Sequence, residues 1–163
     1  MAGPDVTLRD YSRETDFEAV VALHQELNRV EADLGAMRDA RHEAAIACLH
    51  EDTRAIRSAR GEQLVAIVND EIVGYVALEL SEFGAFVPPP MQAHVHIKNL
   101  VVAPTHRRLG IGALFLQRAE ELARLHDRRL VTLSFVAGNA IAEAAYTRAG
   151  FRPVAIEMAK IIE

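Results

Sequence analysis

The residues with the clearest chemical potential form a glycine-containing loop at positions 107–113, Arg107-Arg-Leu-Gly-Ile-Gly-Ala113. The loop follows a predicted strand and opens a predicted helix, where backbone N–H groups are unpaired and the helix dipole is positive. Because Gly110 and Gly112 have no side chains, an anionic ligand can approach the backbone itself. These features are typical of a phosphate-binding loop. The alternative is a tight turn whose arginines point into solvent.

Two common phosphate motifs do not fit this loop. A dinucleotide-binding fingerprint requires a third glycine three residues after Gly112, where Phe115 stands. A P-loop requires Gly-Lys-Ser/Thr after four spacer residues, and both the lysine and the spacing are missing. The surrounding segment 104–130 has six basic and three acidic side chains in a chain of net charge -5. This local excess favours an anionic ligand, with a solvated helix face as the alternative.

A second group of candidate residues lies on the predicted strand before the loop. His94 and His96 are two positions apart, so strand alternation places their side chains on one face. The same alternation continues that face through Lys98, Leu100 and Val102. A histidine accepts a proton near neutral pH, which makes either side chain a candidate base. The alternatives are structural histidines at a sheet edge or in the core, and a metal site whose third ligand the sequence does not locate.

Hydrophobic periodicity predicts the elements that position these residues. Strands are predicted over residues 6–10, 64–68, 72–80, 94–102, 130–136 and 154–162. Helices are predicted over residues 15–34, 39–60 with a break near Asp52-Thr53, 112–126, and 139–149. The strand, helix and strand between residues 94 and 136 imply a parallel crossover, and the hairpins imply antiparallel neighbours. The expected fold is therefore mixed α+β, with a mostly antiparallel sheet flanked by helices.

Composition narrows the class of protein. The chain has 163 residues, of which 50% are hydrophobic and 25% charged, which fits one globular domain over residues 1–163. The net charge of -5 argues against a nucleic-acid binder. No apolar run is long enough for a membrane span, and no secretory signal opens the chain, so we expect a cytoplasmic location. The single cysteine, Cys48, excludes an intramolecular disulfide.

Three segments together resemble the GNAT-type N-acetyltransferases. They are Leu100-Val-Val-Ala-Pro-Thr-His-Arg-Arg-Leu-Gly-Ile-Gly112, Asn139-Ala-Ile-Ala-Glu-Ala-Ala-Tyr146 and Gly150-Phe151. The spacing Arg107-x-x-Gly110-x-Gly112 is similar to that family's pyrophosphate loop, and the order of elements fits over nearly the whole chain. The first 93 residues match only in that order.

The resemblance implies acetyl-CoA as cosubstrate. The pyrophosphate would lie on the backbone N–H groups of the loop, and the pantetheine arm would run beside the 94–102 strand. Asn139 would contact the arm, and Tyr146 would lie near the thioester sulfur as a candidate acid for the departing thiolate. The implied cofactor-binding set is Leu100, Val101, Val102, Arg107, Arg108, Leu109, Gly110, Ile111, Gly112, Ala113 and Asn139.

The resemblance leaves the catalytic base unassigned. Many members have a glutamate on the strand before Asn139, but Ser134 occupies the comparable place here. His94 and His96 border the expected thioester, and Glu79 is a further candidate that could act through water. The donor to the thioester oxygen is expected to be a backbone N–H of the 94–102 strand, that of Val102.

The sequence thus predicts direct acetyl transfer to a primary amine on a small molecule or peptide. The alternative is a non-catalytic acyl-CoA-binding or scaffold domain of the same fold. The resemblance leaves a homodimer open. Acidic side chains among the first two helices, Glu26, Glu31, Asp33, Asp39 and Glu43, slightly favour a cationic acceptor, with a solvated helix face as the alternative.

Overall fold

The structure is a computed structural model that describes residues 5–162. It contains five strands and five helices. The strands are β1 (Thr7–Asp10), β2 (Glu62–Val68), β3 (Glu71–Glu82), β4 (Ala93–Val102) and β5 (Val131–Leu133). The helices are α1 (Arg13–Asp33), α2 (His42–Ala59), α3 (Pro89–Gln92), α4 (Ile111–Leu125) and α5 (Ala140–Arg148). Among these residues, no helix combines the length and the apolar character needed to cross a membrane.

The five strands form one sheet in sequence order, β1 to β5. The pairs from β1 to β4 are antiparallel, and only β4 and β5 run parallel. The β2–β3 hairpin turns at Asn69 and Asp70, whose positive φ angles of 49° and 64° suit a tight hairpin turn. The mixed, mostly antiparallel α+β fold expected from the sequence is confirmed.

Helices cover both faces of the sheet. On one face, α1 and α2 pack through side chains such as Val20, Val21 and Leu49 against Tyr75 of β3 and Val101 of β4. On the other face, Phe115 and Ile111 of α4 pack against strand residues that include Val76 and Val95. Tyr146 of α5 and Phe151 join this second layer. The central strands are therefore buried between two helical layers.

A β-bulge at Lys98 changes the face that β4 presents. Ala77 of β3 pairs with Asn99, but the next residue, Leu78, pairs with Ile97, so Lys98 is the extra residue. Before the bulge, the odd-numbered side chains of β4 face the α4 layer; after it, Leu100 and Val102 do so. The single face expected through positions 94, 96, 98, 100 and 102 is therefore wrong, because one extra residue reverses the alternation.

The predicted break in the second helix is wrong, since α2 is continuous from His42 to Ala59. Asp52 and Thr53, the polar residues that suggested a break, both have partners within the fold. Thr53 Oγ1 donates to the carbonyl of Leu49 at 2.9 Å, and Asp52 is buried against the sheet. The first helix begins at Arg13, two residues before the expected start. The carboxylate of Asp16 accepts from the backbone N–H of Ser12, the N-cap residue, at 2.8 Å and so ties the chain that enters the helix to its first turns.

The chain after α4 differs most from expectation. Strand β5 covers only three of the seven residues predicted, and the strand predicted over residues 154–162 is absent: the segment is irregular and exposed. Val154, Ile156 and Met158 are between 79% and 91% exposed. An alternating apolar pattern forms a strand only where a neighbouring strand supplies backbone partners, and the described residues supply none here. The loop around residues 88–90 contains the short α3, which the sequence did not indicate.

Candidate active site

A gap opens in the sheet between β4 and β5. The two strands pair only from Val95 to Ile97 on β4 and from Val131 to Leu133 on β5. Beyond Ile97, β4 continues for five residues with β3 on one side and no described strand on the other. The gap therefore lies beside the part of β4 that the sequence assigns to the pantetheine arm.

The backbone of β4 directs donors into this gap. The N–H of Ala103 donates to the carbonyl of Val73 on β3 at 2.8 Å. Because N–H directions alternate along a strand, those of Leu100 and Val102 point away from β3, into the gap. The carbonyl of Val102 points the same way and accepts from Arg107 Nε at 3.3 Å. The gap is thus lined by strand donors suited to an amide-bearing or oxyanionic ligand.

The glycine loop ends at the N-terminus of α4. Gly110 is the N-cap residue with φ of 83°, and Arg108 also has a positive φ, of 66°. The first helical bond runs from the N–H of Leu114 to the carbonyl of Gly110, so the N–H groups of Ile111, Gly112 and Ala113 have no partner inside the helix. A Cβ atom at Gly110 or Gly112 would meet no protein atom within 4 Å. The surface above this helix end is open to a phosphate group.

Arg107 connects this loop to α1. Its Nη2 lies 3.4 Å from Glu26 Oε1, and its Nε donates to Val102. The guanidinium therefore bridges β4, the loop and the first helix. Arg108 and Leu109 are exposed beside it. Of the basic residues in the loop, Arg107 holds the loop against the fold.

Tyr146 is half-buried on α5 between the rings of Phe135 and Phe151, at centroid distances of 5.8 and 6.1 Å. Burial raises the pKa of its hydroxyl, and the carboxylate of Glu31 raises it further. Glu31 belongs to α1, which covers the opposite face of the sheet from α5. The phenol is protonated at neutral pH and can donate a proton or a hydrogen bond there.

Glu31 is a site residue whose closeness to Tyr146 the sequence did not reveal. Its side chain is buried, and it forms an ion pair with Arg38 at 2.6 Å. It lies near the end of α1, and only the fold brings it towards a residue 115 positions later in the chain. The helical spacing of α1 contains no signal of this electrostatic interaction.

His96 lies where the gap begins. Its Nδ1 is 2.9 Å from Thr132 Oγ1, and it pairs across the sheet with Glu79. Burial lowers the pKa of the imidazole, the charge of Glu79 opposes that effect, and His94 and Lys98 add to it. The balance favours a neutral ring at pH 7, which can accept a proton. Among the described contacts, Nε2 has no hydrogen-bond partner.

His94 has a different environment. It is 3% exposed, stacks on Phe83 at a centroid distance of 4.0 Å and has its Nδ1 2.9 Å from the carbonyl of Gln92. Its own carbonyl accepts from Arg128. These contacts fix its ring within the protein, so of the two histidines His96 is better placed to meet a ligand.

Asn139 forms the N-cap of α5, where its Oδ1 accepts from the N–H of Ala142 at 3.1 Å. This capping role occupies its oxygen and leaves the amide nitrogen for other partners. Ser134, which stands at the position of the family's glutamate, is exposed just after β5. The structure therefore provides no carboxylate at that position.

A buried polar cluster behind β4 was not expected from the sequence. Asp52 of α2 accepts from Tyr75 Oη at 3.0 Å and from Asn99 Nδ2 at 2.8 Å, and His24 Nε2 lies 3.3 Å from it. Gln63 Nε2 donates to Tyr75 Oη at 2.8 Å. These contacts tie α1, α2 and β2 to the residue that follows the bulge in β4. Because the five residues of the cluster are dispersed along the chain, no local motif indicates it.

The fold and the gap agree with the comparisons with known proteins. Residues 17–151 match the model of the acetyltransferase (GNAT) family, and the chain belongs to this family. No curated protein sequence matches the chain.

Several solved structures share the fold. A transcriptional regulator from Bacillus halodurans C-125 is 19% identical, with a TM-score of 0.74 over 97% of this chain and 100% of that one. An aminoglycoside antibiotic 6'-N-acetyltransferase from Acinetobacter haemolyticus is 16% identical, with a TM-score of 0.70 over 96% and 99% of the two chains. A predicted acetyltransferase from Clostridium acetobutylicum, solved with acetyl-CoA, is 16% identical, with a TM-score of 0.72 over 95% and 96%. At these identities the likeness shows the fold alone.

Proposed function

We propose that this chain, as a single domain over residues 1–163, transfers an acetyl group from acetyl-CoA directly to a primary amine. The observation that carries the proposal is the gap beside β4, which combines strand donors at Leu100 and Val102 with a protonated phenol at Tyr146. The open helix end at Gly112 supplies a phosphate site beside the same gap. The family supports acetyl transfer in general, and the proposal adds the amine and the roles of single residues.

The N–H groups of Ile111, Gly112 and Ala113 hold the pyrophosphate in this proposal. Arg108 and Leu109 flank it, Arg107 keeps the loop in place, and Asn139 contacts the pantetheine arm. The backbone groups of Leu100 and Val102 on β4 align that arm, and Val101 between them holds the strand to β3. The N–H of Val102 donates to the thioester oxygen as it becomes negative, and such a donor contributes roughly 3–4 kcal/mol to catalysis.

Tyr146 is the proposed acid. When the amine attacks the thioester carbon, the carbon–sulfur bond breaks and the CoA thiolate leaves. The Tyr146 hydroxyl donates its proton or a hydrogen bond to that sulfur. Its raised pKa keeps the proton on the phenol until the thiolate forms, and Glu31 contributes to this effect.

His96 is the proposed base. A lysine-like amine has a pKa near ~10.4 and must lose a proton before it attacks. The neutral ring of His96, held through Nδ1 by Thr132, presents Nε2 at the mouth of the gap. Glu79, which pairs with His96 across the sheet, takes part through water or by its charge. His94 has a supporting role, because its ring is held by Phe83 and Gln92.

The proposed acceptor is a small molecule or peptide that carries a cationic amine. Aminoglycoside acetyltransferases are among the structural neighbours, and Glu31 supplies negative charge at the gap. Most of the carboxylates that suggested a cationic acceptor are paired with arginines: Glu26 and Asp33 with Arg29, Glu31 with Arg38, and Asp39 with Arg41. The preference for a cationic acceptor therefore rests on the aminoglycoside acetyltransferases among the structural neighbours more than on uncompensated acidity. The proposed setting is the cytoplasm, with a homodimer as one assembly.

The test is an amine-panel assay that follows CoA release from acetyl-CoA, with Tyr146→Phe as the matched variant. We expect amine-dependent release by the natural chain and a fall in turnover by roughly 10²–10⁴-fold in the variant, with acetyl-CoA affinity retained. Acetyl-CoA binding without release for any amine would contradict catalysis and identify a non-catalytic acyl-CoA-binding domain.

A further inference from the structure

A cleft unrelated to the candidate active site lies at the other end of the first two helices. It has a volume of about 570 Å³ and is lined by the start of α1, the last three turns of α2 and the beginning of β2. Small-molecule sites commonly measure roughly 300–1,000 Å³. None of its lining residues belongs to the glycine loop, the gap beside β4 or the pair His96 and Glu79.

The charge of this cleft is opposite to that of the chain. Four arginines line it, Arg13, Arg54, Arg57 and Arg60, and no aspartate or glutamate is among its lining residues. The chain as a whole has 23 acidic and 18 basic side chains. Within residues 5–162, these four arginines form no ion pair, whereas Arg9, Arg29, Arg38, Arg41, Arg107, Arg118 and Arg124 all do.

The arrangement concentrates this charge. Arg54 and Arg57 are three residues apart on α2, so their guanidiniums are neighbours on one helix face, and Arg60 follows as the C-cap residue of this helix. Like charges at this spacing repel each other unless an anion compensates them. The carboxylate that acts on nearby Tyr11 belongs to Asp16, and Arg9 already pairs with it at 2.6 Å. Among the described residues, no carboxylate therefore pairs with the arginines of the cleft.

The floor of the cleft adds polar and apolar contacts. Ile56 is 6% exposed, and the half-buried ring of Tyr11 lies beside it. Burial raises the pKa of the Tyr11 hydroxyl, which keeps it a hydrogen-bond donor at neutral pH. Gln63 donates to Thr53 Oγ1 at 3.2 Å and to Tyr75 Oη, so the floor is held by the same hydrogen bonds that reach Asp52 and β4.

We infer that this cleft binds a small organic anion with two or more phosphate or carboxylate groups. Arginine guanidiniums match both groups through paired, parallel hydrogen bonds. The anionic groups lie among Arg54, Arg57 and Arg60, and the body of the ligand rests on Ile56 and Tyr11. The ligand is distinct from acetyl-CoA, whose proposed phosphate site is at α4.

The experiment is a calorimetric titration with inorganic pyrophosphate and, separately, with citrate, which distinguishes a phosphate from a carboxylate ligand. The test protein is Arg54→Gln with Arg57→Gln. The control is Arg124→Gln with Arg129→Gln, which changes the net charge equally on exposed residues outside the cleft. CoA is kept saturating so that pyrophosphate cannot bind at the glycine loop, and each titration is repeated in Gly112→Val without CoA.

We expect one anion to bind with a stoichiometry near one and to bind at least ~10-fold more weakly to the cleft variant than to the control. Absence of binding by both probes, or equal binding by cleft variant and control, would overturn the inference. Loss of binding in Gly112→Val alone would assign the anion to the loop and also overturn it. The proposed function is tested separately, because it would be contradicted by absent CoA binding or by absent amine acetylation. In that case the titration of Gly112→Val, which contains no CoA, still measures anion binding at the cleft.

Discussion

Replacing Gly112 with valine should weaken the binding of CoA while leaving the free energy of unfolding nearly unchanged. Gly112 is the second residue of α4, and a Cβ atom there would meet no protein atom within 4 Å. Glycine costs about 1 kcal/mol in a helix relative to alanine and valine at most about 0.7 kcal/mol, so the free energy of unfolding should stay within about 0.5 kcal/mol. Gly110 is a poorer choice, because its φ of 83° would strain any other residue.

The same valine occupies the space that a phosphate needs. If it prevents one charge-assisted hydrogen bond from the helix N-terminus, about 1.5–3 kcal/mol of binding free energy is lost. That loss corresponds to a roughly 10- to 150-fold rise in the dissociation constant of CoA. Calorimetric titration with CoA measures the affinity, and urea unfolding measures the stability.

The control is Ala47→Val, which introduces the same side chain at an exposed helical position on α2. It should leave the affinity for CoA unchanged and cost at most about 0.7 kcal/mol of stability. A folded Gly112→Val protein that binds CoA as tightly as the natural chain would refute the phosphate site at α4. A protein that no longer folds would contradict the open space at this position.

Three further substitutions probe the site and its support. Asp52→Ala leaves Tyr75 Oη and Asn99 Nδ2 without their buried acceptor, so thermal or urea unfolding should show a loss of about 3–5 kcal/mol in the free energy of unfolding. The control Asp33→Ala breaks an exposed ion pair and should cost less than about 1 kcal/mol. Equal losses in the two variants would contradict the stabilising role of the cluster. Because burial lowers the pKa of His96 from 6.5, activity should fall as the pH drops through a midpoint below 6.5. His96→Gln should remove this acidic limb of the pH profile. An unchanged pH profile in the variant would exclude His96 as the base. Glu31→Gln removes a charge that raises the pKa of Tyr146, so the alkaline limb of activity should move to lower pH, and an unmoved limb would contradict the electrostatic interaction.

Local sequence signals predicted the helices and central strands well. Apart from the short α3, the order of elements from β1 to α5, the hairpin at residues 69–71 and the cap at Asn139 all follow from short-range patterns that the structure contains. These features depend on residues within one or two turns of each other, which is the range that periodicity and capping rules describe.

The predictions that were wrong concern features that depend on contacts between residues far apart in the sequence. Alternation predicted a strand at residues 154–162, but a strand exists only with a partner along its edge. Polarity at Asp52 and Thr53 suggested a helix break, but Asp52 finds Tyr75 and Asn99 across the core. The closeness of Glu31 to Tyr146 depends on how the helices on the two faces are placed. Roles within the candidate site stay predictions, because they concern ligands rather than folding.

The bulge at Lys98 has a consequence for sequence alignment in this family. At identities near 20%, residues are commonly matched by alternation within strands, and one uncompensated extra residue shifts that match by one position. An alignment that continues the pattern of His94 and His96 through Lys98 would place Leu100 and Val102 beneath α1 and α2, whereas their side chains face the α4 layer. In this chain, residues 93–97 and 99–102 of β4 should therefore be assigned to the two faces of the sheet separately, with Lys98 as the extra residue between them.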